Sequence, residues 1–440
     1  MRVILLSGGS GKRLWPLSND VRSKQFLKIF KNDDNSYESM VQRVYRQIKA
    51  ADTDADVTIA TSKKQVSAIR NQLGERVEIS VEPCRRDTFP AIILASAYLA
   101  DVKRIDPREI VVVCPVDPYV EDEYFKTLRD LSEQAETREA NLILMGIEPK
   151  YPSEKYGYII PESKDDVARV LTFKEKPDIA TAEEYIKQGA LWNGGVFAYR
   201  LQYILDKANE IIGYCDYDTL FTNYATLPKK SFDYAIAEKE PKIQVVRFCG
   251  TWEDIGTWNT LTEAMDDKSI GNARQDRTCM NVNILNELDI PIVALGVRNI
   301  VISASPGGIL VSDKEQSINL KSFLENENLD IRFAEKSWGD YKVIDVEDDS
   351  LTIKVTIKAG HSMNYHSHER RDEVWTIISG TGRTIVDGME QPVKAGDVVT
   401  MQAGCRHTVI ADKELKMIEI QIGNEISVSD KYKYKLEGRK

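Results

Sequence analysis

Residues 3–13 constrain this chain more than any other stretch. Val3-Ile4-Leu5-Leu6 is a short apolar run of the kind that forms a buried parallel strand, and the Ser7-Gly8-Gly9-Ser10-Gly11 that follows cannot continue it. Glycines in such a loop allow positive φ and present bare N–H groups to an anion. Lys12 and Arg13 come next, and Lys24 follows a turn at Pro16. A strand end, a glycine loop and three cations imply a site for a polyphosphate. Two common phosphate loops do not fit. The G-x-x-x-x-G-K-[ST] form meets Leu6 at its first glycine and Arg13 at its Ser/Thr position. The G-x-G-x-x-G form, begun at Gly9, meets Leu14 at its last. A glycine-rich surface turn is the competing reading.

The net charge of −10 argues against a general nucleic-acid binder, which needs a basic face. Local cations must therefore draw in any anionic ligand. Only four histidines occur, at 361, 366, 368 and 407, so the first three hundred residues have no imidazole chemistry. Carboxylates, lysines, arginines and metal remain there, which suits phosphoryl-type transfer. The six cysteines are scattered without a C-x-x-C pair, as in a reduced, cytoplasmic protein. A chain that enters a strand after Arg2 has no room for a signal peptide, and no apolar run reaches the length of a membrane span. The expectation is a cytoplasmic protein with no membrane partner.

To about residue 260, short apolar strands alternate with amphipathic helices. Strands are expected at 57–60, 77–81, 110–114 and 141–145, with helices at 63–73, 90–99 and 124–135. That alternation predicts βαβ units and a mostly parallel sheet, whose ligands sit beyond the carboxyl ends of the strands. Residues 266–330 read as a β-rich connecting segment ending in a linker helix over 321–328. From 331 to the end, dense β patterning punctuated by glycine predicts a small β-barrel.

Six further stretches carry the chemistry. Glu82-Pro83-Cys84-Arg85-Arg86-Asp87-Thr88-Phe89-Pro90-Ala91 straddles a strand-to-helix junction, where Asp87 or Thr88 can also serve as a plain helix cap. Asp117 follows a buried strand, a good position for a Mg²⁺ ligand or for an ordinary turn aspartate before Pro118. Tyr156-Gly157-Tyr158-Ile159 and Phe173-Lys174-Glu175-Lys176-Pro177 come next. Trp192-Asn193-Gly194-Gly195-Val196-Phe197 and Trp252-Glu253-Asp254-Ile255-Gly256-Thr257-Trp258 complete the set. With the glycine loop and its Trp15-Pro16-Leu17-Ser18 and Lys24-Gln25-Phe26-Leu27 pieces, these stretches resemble sugar nucleotidyltransferases, and most closely the mannose-1-phosphate guanylyltransferases. Lys12, Asp87, Phe89 and Lys155 depart from the family pattern.

The resemblance implies a Rossmann-like nucleotidyltransferase domain over 1–265. It implies catalytic roles for Arg13, Lys24, Asp117, Lys176 and Asp254, with Asp117 and Asp254 holding Mg²⁺. Leu6, Gly8, Gly9, Gly11, Lys12, Glu82, Arg86, Asp87 and Pro90 would line the nucleotide. Gly157, Glu175 and Asn193 would contact the sugar. GTP and mannose 1-phosphate are the expected substrates and a homodimer the expected assembly. Another nucleotide or sugar 1-phosphate, and a non-catalytic sugar-nucleotide sensor, are the alternatives.

The last hundred residues give an independent signal. Gly360, His366, His368, Glu373 and Gly380 match G-x5-H-x-H-x4-E-x6-G, and Gly396, Gly404 and His407 match G-x7-G-x2-H. This resembles the cupin barrel, over 331–440, and implies a divalent transition metal held by His366, His368, Glu373 and His407, without distinguishing Zn, Mn, Fe or Ni. A cupin behind a guanylyltransferase is similar to bifunctional enzymes whose second half is a type II mannose-6-phosphate isomerase. Those isomerases space the ligands H-x-H-x-x-E, two residues tighter than here. A metal-stabilised structural or regulatory barrel is the alternative.

Overall fold

The computed structural model describes residues 1–440 apart from Ser10, Asp20, Asn326, Asn328, Val428 and 437–440; the side chain of Lys12 also lies outside the described residues. The chain packs as two units. The first comprises Met1–Ser10, Ser23–Val66 and Gln72–Asp266, and the second Gly11–Arg22, Ser67–Asn71 and Asp267–Lys440.

In the first unit, the apolar run at the N-terminus forms the strand Arg2–Ser7, central in a nine-stranded sheet. Its neighbours Asp56–Ser62 and Ile110–Pro115 are parallel to it, and Glu78–Glu82 continues the parallel series. The sheet then changes character. Leu191–Arg200 inserts antiparallel between Ile110–Pro115 and Leu142–Ile147, and the Tyr158–Pro161/Val167–Lys174 hairpin adds further antiparallel pairs. Ile243–Phe248 is parallel to Leu142–Ile147 but antiparallel to Val167–Lys174. The mostly parallel sheet expected from sequence is thus confined to the N-terminal half, and the whole is mixed. The tight hairpin forces reversal between Tyr158–Pro161 and Val167–Lys174, while Leu191–Arg200 is reversed after the helix Ile179–Lys187, and periodicity alone does not report direction.

The core of this unit joins both halves of the sheet through fully buried Ile4, Val111, Val113, Leu144, Leu191 and Phe197. The apolar helix expected over 90–99 runs Thr88–Ala97 and passes into a π-helical turn at Tyr98–Val102. Farther on, the helix Trp258–Glu263 starts from a capping box in which Thr257 accepts from Thr260 N. Thr257→Ala is expected to cost about 1 kcal/mol, measured as a shift in the denaturant midpoint of this unit.

In the second unit, parallel strand pairs stack through residues 269–305, with a small core of Val282, Ile284 and Ala294. The linker helix expected over 321–328 is limited to Leu320–Phe323. It ends at the cap Leu324, and the part of the expected helix that falls on Asn326 and Asn328 lies outside the described residues. Beyond it, two antiparallel sheets of six and five strands face each other across a core containing Trp375, Met401, Val409 and Met417. Gly380 has φ of 87°, and a Cβ there would lie 2.0 Å from Glu414 O, so this motif glycine is demanded by close backbone approach. Among the described residues, no helix is long and apolar enough to cross a membrane.

Candidate functional site

The strand Ile110–Pro115 runs beside Arg2–Ser7, and Val116 N donates to Leu6 O at 3.1 Å. Asp117 therefore emerges at the carboxyl end of the parallel strands. The next three residues, Pro118–Val120, pair antiparallel with Trp252–Asp254, in a register that sets Asp254 opposite Pro118. Two carboxylates 137 positions apart in sequence thereby become neighbours. Lys24 reaches both: its Nζ lies 3.0 Å from Asp117 Oδ2 and 3.7 Å from Asp254 Oδ1, and donates to Ile255 O at 3.0 Å. Both acids are partly exposed, at 42% and 37% of their side chains. An arrangement that already holds one ammonium among three oxygens fits a hard divalent cation.

The glycine loop begins at Ser7, whose carbonyl accepts from Thr61 Oγ1 at 2.9 Å. Gly9 has φ of 136°, a conformation a side chain would oppose. Its carbonyl accepts from Arg85 Nη2 at 2.6 Å. Arg86, the arginine expected at the nucleotide, donates to Ala225 O. Asp87 takes the helix-cap role, accepting from Thr88 N at 2.8 Å with φ of 71°, and Pro90 is buried at the third helical position. Glu82 accepts from Tyr224 Oη at 3.0 Å, and burial raises its pKa. Gly11 and the exposed Arg13 lie on the turn Gly11–Leu14, which belongs to the second unit.

A third cluster gathers Gly157, Glu175, Lys176 and Asn193. Asn193 N donates to Gly157 O at 2.8 Å. A Cβ on Gly157 would meet Glu175 Oε2 at 2.5 Å and Asn193 Cβ at 3.3 Å, so a side chain there would displace the Glu175 carboxylate. Lys176, with φ of 47°, turns its ammonium back to Glu175 Oε1 at 2.5 Å. Glu175 is only 4% exposed. The aromatic residues of these motifs form one packed group: Tyr156 lies 4.7 Å from Trp192 and 5.4 Å from Trp252, ring centre to ring centre. That group packs the strand bearing Asn193 against the one bearing Asp254, since Trp192 and Trp252 lie 6.4 Å apart, ring centre to ring centre.

In the barrel, His366, His368, Glu373 and His407 are all buried, and their ligand atoms lie within 4.8 Å of one another. Each imidazole hydrogen-bonds a backbone carbonyl through Nδ1: His366 to Asn364 O, His368 to Asp430 O and His407 to Cys405 O. A carbonyl only accepts, so Nδ1 carries the proton and Nε2 turns its lone pair inward. His368 Nε2 and His407 Nε2 stand 3.0 and 3.2 Å from the two Glu373 oxygens. Lone pairs facing a carboxylate repel one another unless a cation lies between them. Burial, with Lys431 and His407 close by, pushes His366 down to about 2 and keeps it neutral. Three imidazoles and one carboxylate fit a divalent transition metal.

Three residues that sequence reasoning passed over belong to these clusters. Asp233 Oδ1 accepts from Asn193 Nδ2 at 2.6 Å, and burial beside Glu175 raises its pKa to about 6. Arg85 holds the glycine loop through Gly9 O; neighbouring arginines in a loop cannot be told apart without coordinates. Arg371, inside the lengthened gap between His368 and Glu373, lies 3.1 Å from His368 Nε2 and 3.2 Å from Glu373 Oε1. The two extra residues of that gap were the available signal.

Comparison with known proteins agrees with this geometry. The nucleotidyl transferase family model matches residues 2–269, and a cupin domain model matches residues 353–421. A putative mannose-1-phosphate guanylyltransferase of Vibrio cholerae serotype O1 is 27% identical, covering 97% of this chain and 98% of its own. The mannose-1-phosphate guanylyltransferase RfbM of Salmonella typhimurium LT2 is 28% identical, covering 97% and 95%. A crystal structure described as mannose-1-phosphate geranyltransferase from Thermus thermophilus superposes with a TM-score of 0.61 at 27% identity, covering 74% of this chain and 98% of that one. With the match spanning more than half of its length and taking in the glycine loop, both carboxylates and the Gly157 cluster, this chain belongs to the nucleotidyl transferase family.

Proposed function

We propose that the chain makes GDP-mannose and pyrophosphate from GTP and mannose 1-phosphate. The observation that carries this reading is the pairing of Asp117 with Asp254 around one cation position at the carboxyl end of the parallel strands. The full-length relatives named mannose-1-phosphate guanylyltransferase support the choice of substrates. Asp117 and Asp254 would hold Mg²⁺, which when bound supplies neutralisation of phosphate charge. Lys24, freed from the carboxylates, and Arg13 would take up the charge that moves onto the departing pyrophosphate. Leu6, Gly8, Gly9, Gly11, Lys12, Glu82, Arg86, Asp87 and Pro90 would form the nucleotide side, with Gly9 presenting its backbone at positive φ. On the sugar side, Glu175 and Asn193 would meet the hydroxyls and Lys176 the phosphate. The attacking phosphate oxygen is already ionised, so no general base is required.

The proposed division is a transferase domain over 1–265, a connecting segment over 266–330 and a cupin over 331–440, assembled as a cytoplasmic homodimer. The converging Nε2 atoms favour a metal-dependent role for the cupin, for which isomerisation of a hexose 6-phosphate is the leading reading. Pyrophosphate release across a grid of nucleoside triphosphates and sugar 1-phosphates tests the main proposal. A dominant GTP/mannose 1-phosphate signal is expected. Dominance of another pair would reassign the substrates, and silence throughout would leave a sugar-nucleotide-binding module.

A further inference from the structure

Residues 224–233 run along the junction that carries Glu82, Arg86 and Thr88, and they are tied to it at four places. Tyr224 Oη donates to Glu82 Oε2 at 3.0 Å, and Arg86 donates to Ala225 O. Phe89 N donates to Lys230 O at 3.2 Å, and Phe232 N donates to Thr88 Oγ1 at 2.9 Å. Immediately after this last bond comes Asp233, whose carboxylate leaves the junction and receives Asn193 Nδ2 at 2.6 Å. Asn193 Oδ1 in turn accepts from Gly195 N at 3.2 Å. With both ends engaged, the carboxamide has one orientation, and one N–H and one lone pair remain for a ligand. Ser231 caps the short turn Phe232–Ala235 that bears Asp233, which fixes the direction of the carboxylate.

From this chain of bonds we infer that Asp233 is a positioning residue for the sugar subsite, and that the 224–233 strap transmits occupancy of the nucleotide side to Asn193. The inference rests on the transferase reading above. Its consequence is that sugar phosphate binds more tightly once nucleotide is bound, because the strap is then held from one end.

Steady-state kinetics of the full chain and calorimetric titration with mannose 1-phosphate, with and without GTP in the absence of divalent metal, test this. Asp233→Ala is expected to raise KM for the sugar phosphate about tenfold, with KM for GTP and kcat within about threefold of wild type. Asp233→Asn keeps an acceptor oxygen and is expected to recover most of the loss. Thr88→Val does not touch Asn193, yet it is expected to abolish the GTP-dependent gain in sugar-phosphate affinity. An unchanged sugar KM in Asp233→Ala would overturn the positioning role. Equal loss for both substrates in Asp233→Ala and Asp233→Asn would overturn it too, as would coupling retained in Thr88→Val. Should wild type release no pyrophosphate with any substrate pair, the transferase reading fails on that control, and the titrations still decide whether Asp233 and Thr88 govern sugar-phosphate binding.

Discussion

Asp254→Asn is expected to lower kcat/KM for pyrophosphate release by about 10³-fold, roughly 4 kcal/mol of transition-state stabilisation. The substitution is nearly isosteric, and Asp254 lies in a short strand whose backbone pairing with Pro118 does not depend on the side chain. Thermal stability should therefore stay close to wild type. Asp117→Asn is expected to behave alike, and the double variant should be little worse than either, since both act through one cation position. Lys24→Met separates catalysis from cation binding. The ammonium 3.0 Å from Asp117 competes with any metal for the same oxygens, so its removal should tighten Mn²⁺ binding in the absence of nucleotide. The same change should weaken GTP and slow turnover. Paramagnetic titration with Mn²⁺ reads the first effect and pyrophosphate release the second. Unchanged Mn²⁺ affinity in both Asp254→Asn and Lys24→Met would remove the two carboxylates from the metal-binding role.

The second large effect concerns the barrel. The purified chain is expected to carry about one divalent transition metal per molecule, lost in His407→Ala and retained in His361→Ala. His361 is the control because it lies outside the cluster and its ring hydrogen-bonds Ala359 O. A ligand held at a thousandfold over its Kd contributes about 4 kcal/mol to stability. Chelation should then lower the melting transition of the barrel by upwards of about 10 °C. The transferase activity should survive chelation once Mg²⁺ is restored. Metal analysis and differential scanning calorimetry check both statements. A wild-type chain without metal, whose melting does not respond to added Zn²⁺, Mn²⁺, Fe²⁺ or Ni²⁺, would leave Arg371 as the cation of the cluster, through the contacts it already makes with His368 and Glu373.

Much of this molecule was written in local pattern. The apolar run at Val3–Leu6 and the buried runs at 57–60 and 110–114 became strands because runs of β-branched and leucine side chains have few other places to go. The cupin ligands were legible for a related reason. Fixed spacing on strands of period two brings His366 and His368 to one face, and the motif supplies Glu373 and His407. Direction and partnership were not legible. Whether Leu191–Arg200 runs with or against its neighbours depends on where the chain returns to the sheet after the helix Ile179–Lys187, a non-local matter that no periodicity encodes. The same holds for which arginine of the Arg85-Arg86 pair faces the glycine loop, since the two are adjacent in sequence and the strand end decides between them. Asp233 illustrates the limit. Standing alone in Ser231-Phe232-Asp233-Tyr234 it has the look of any helix-start acid. Only the folded chain carries it across 40 residues to Asn193, buries it beside Glu175 and makes a solvated carboxylate into one whose proton is held to about pH 6. Sequence determines which side chains are available and which segments must be buried. Tertiary structure decides which of those side chains meet, because burial and electrostatic neighbours act through space between residues remote along the chain.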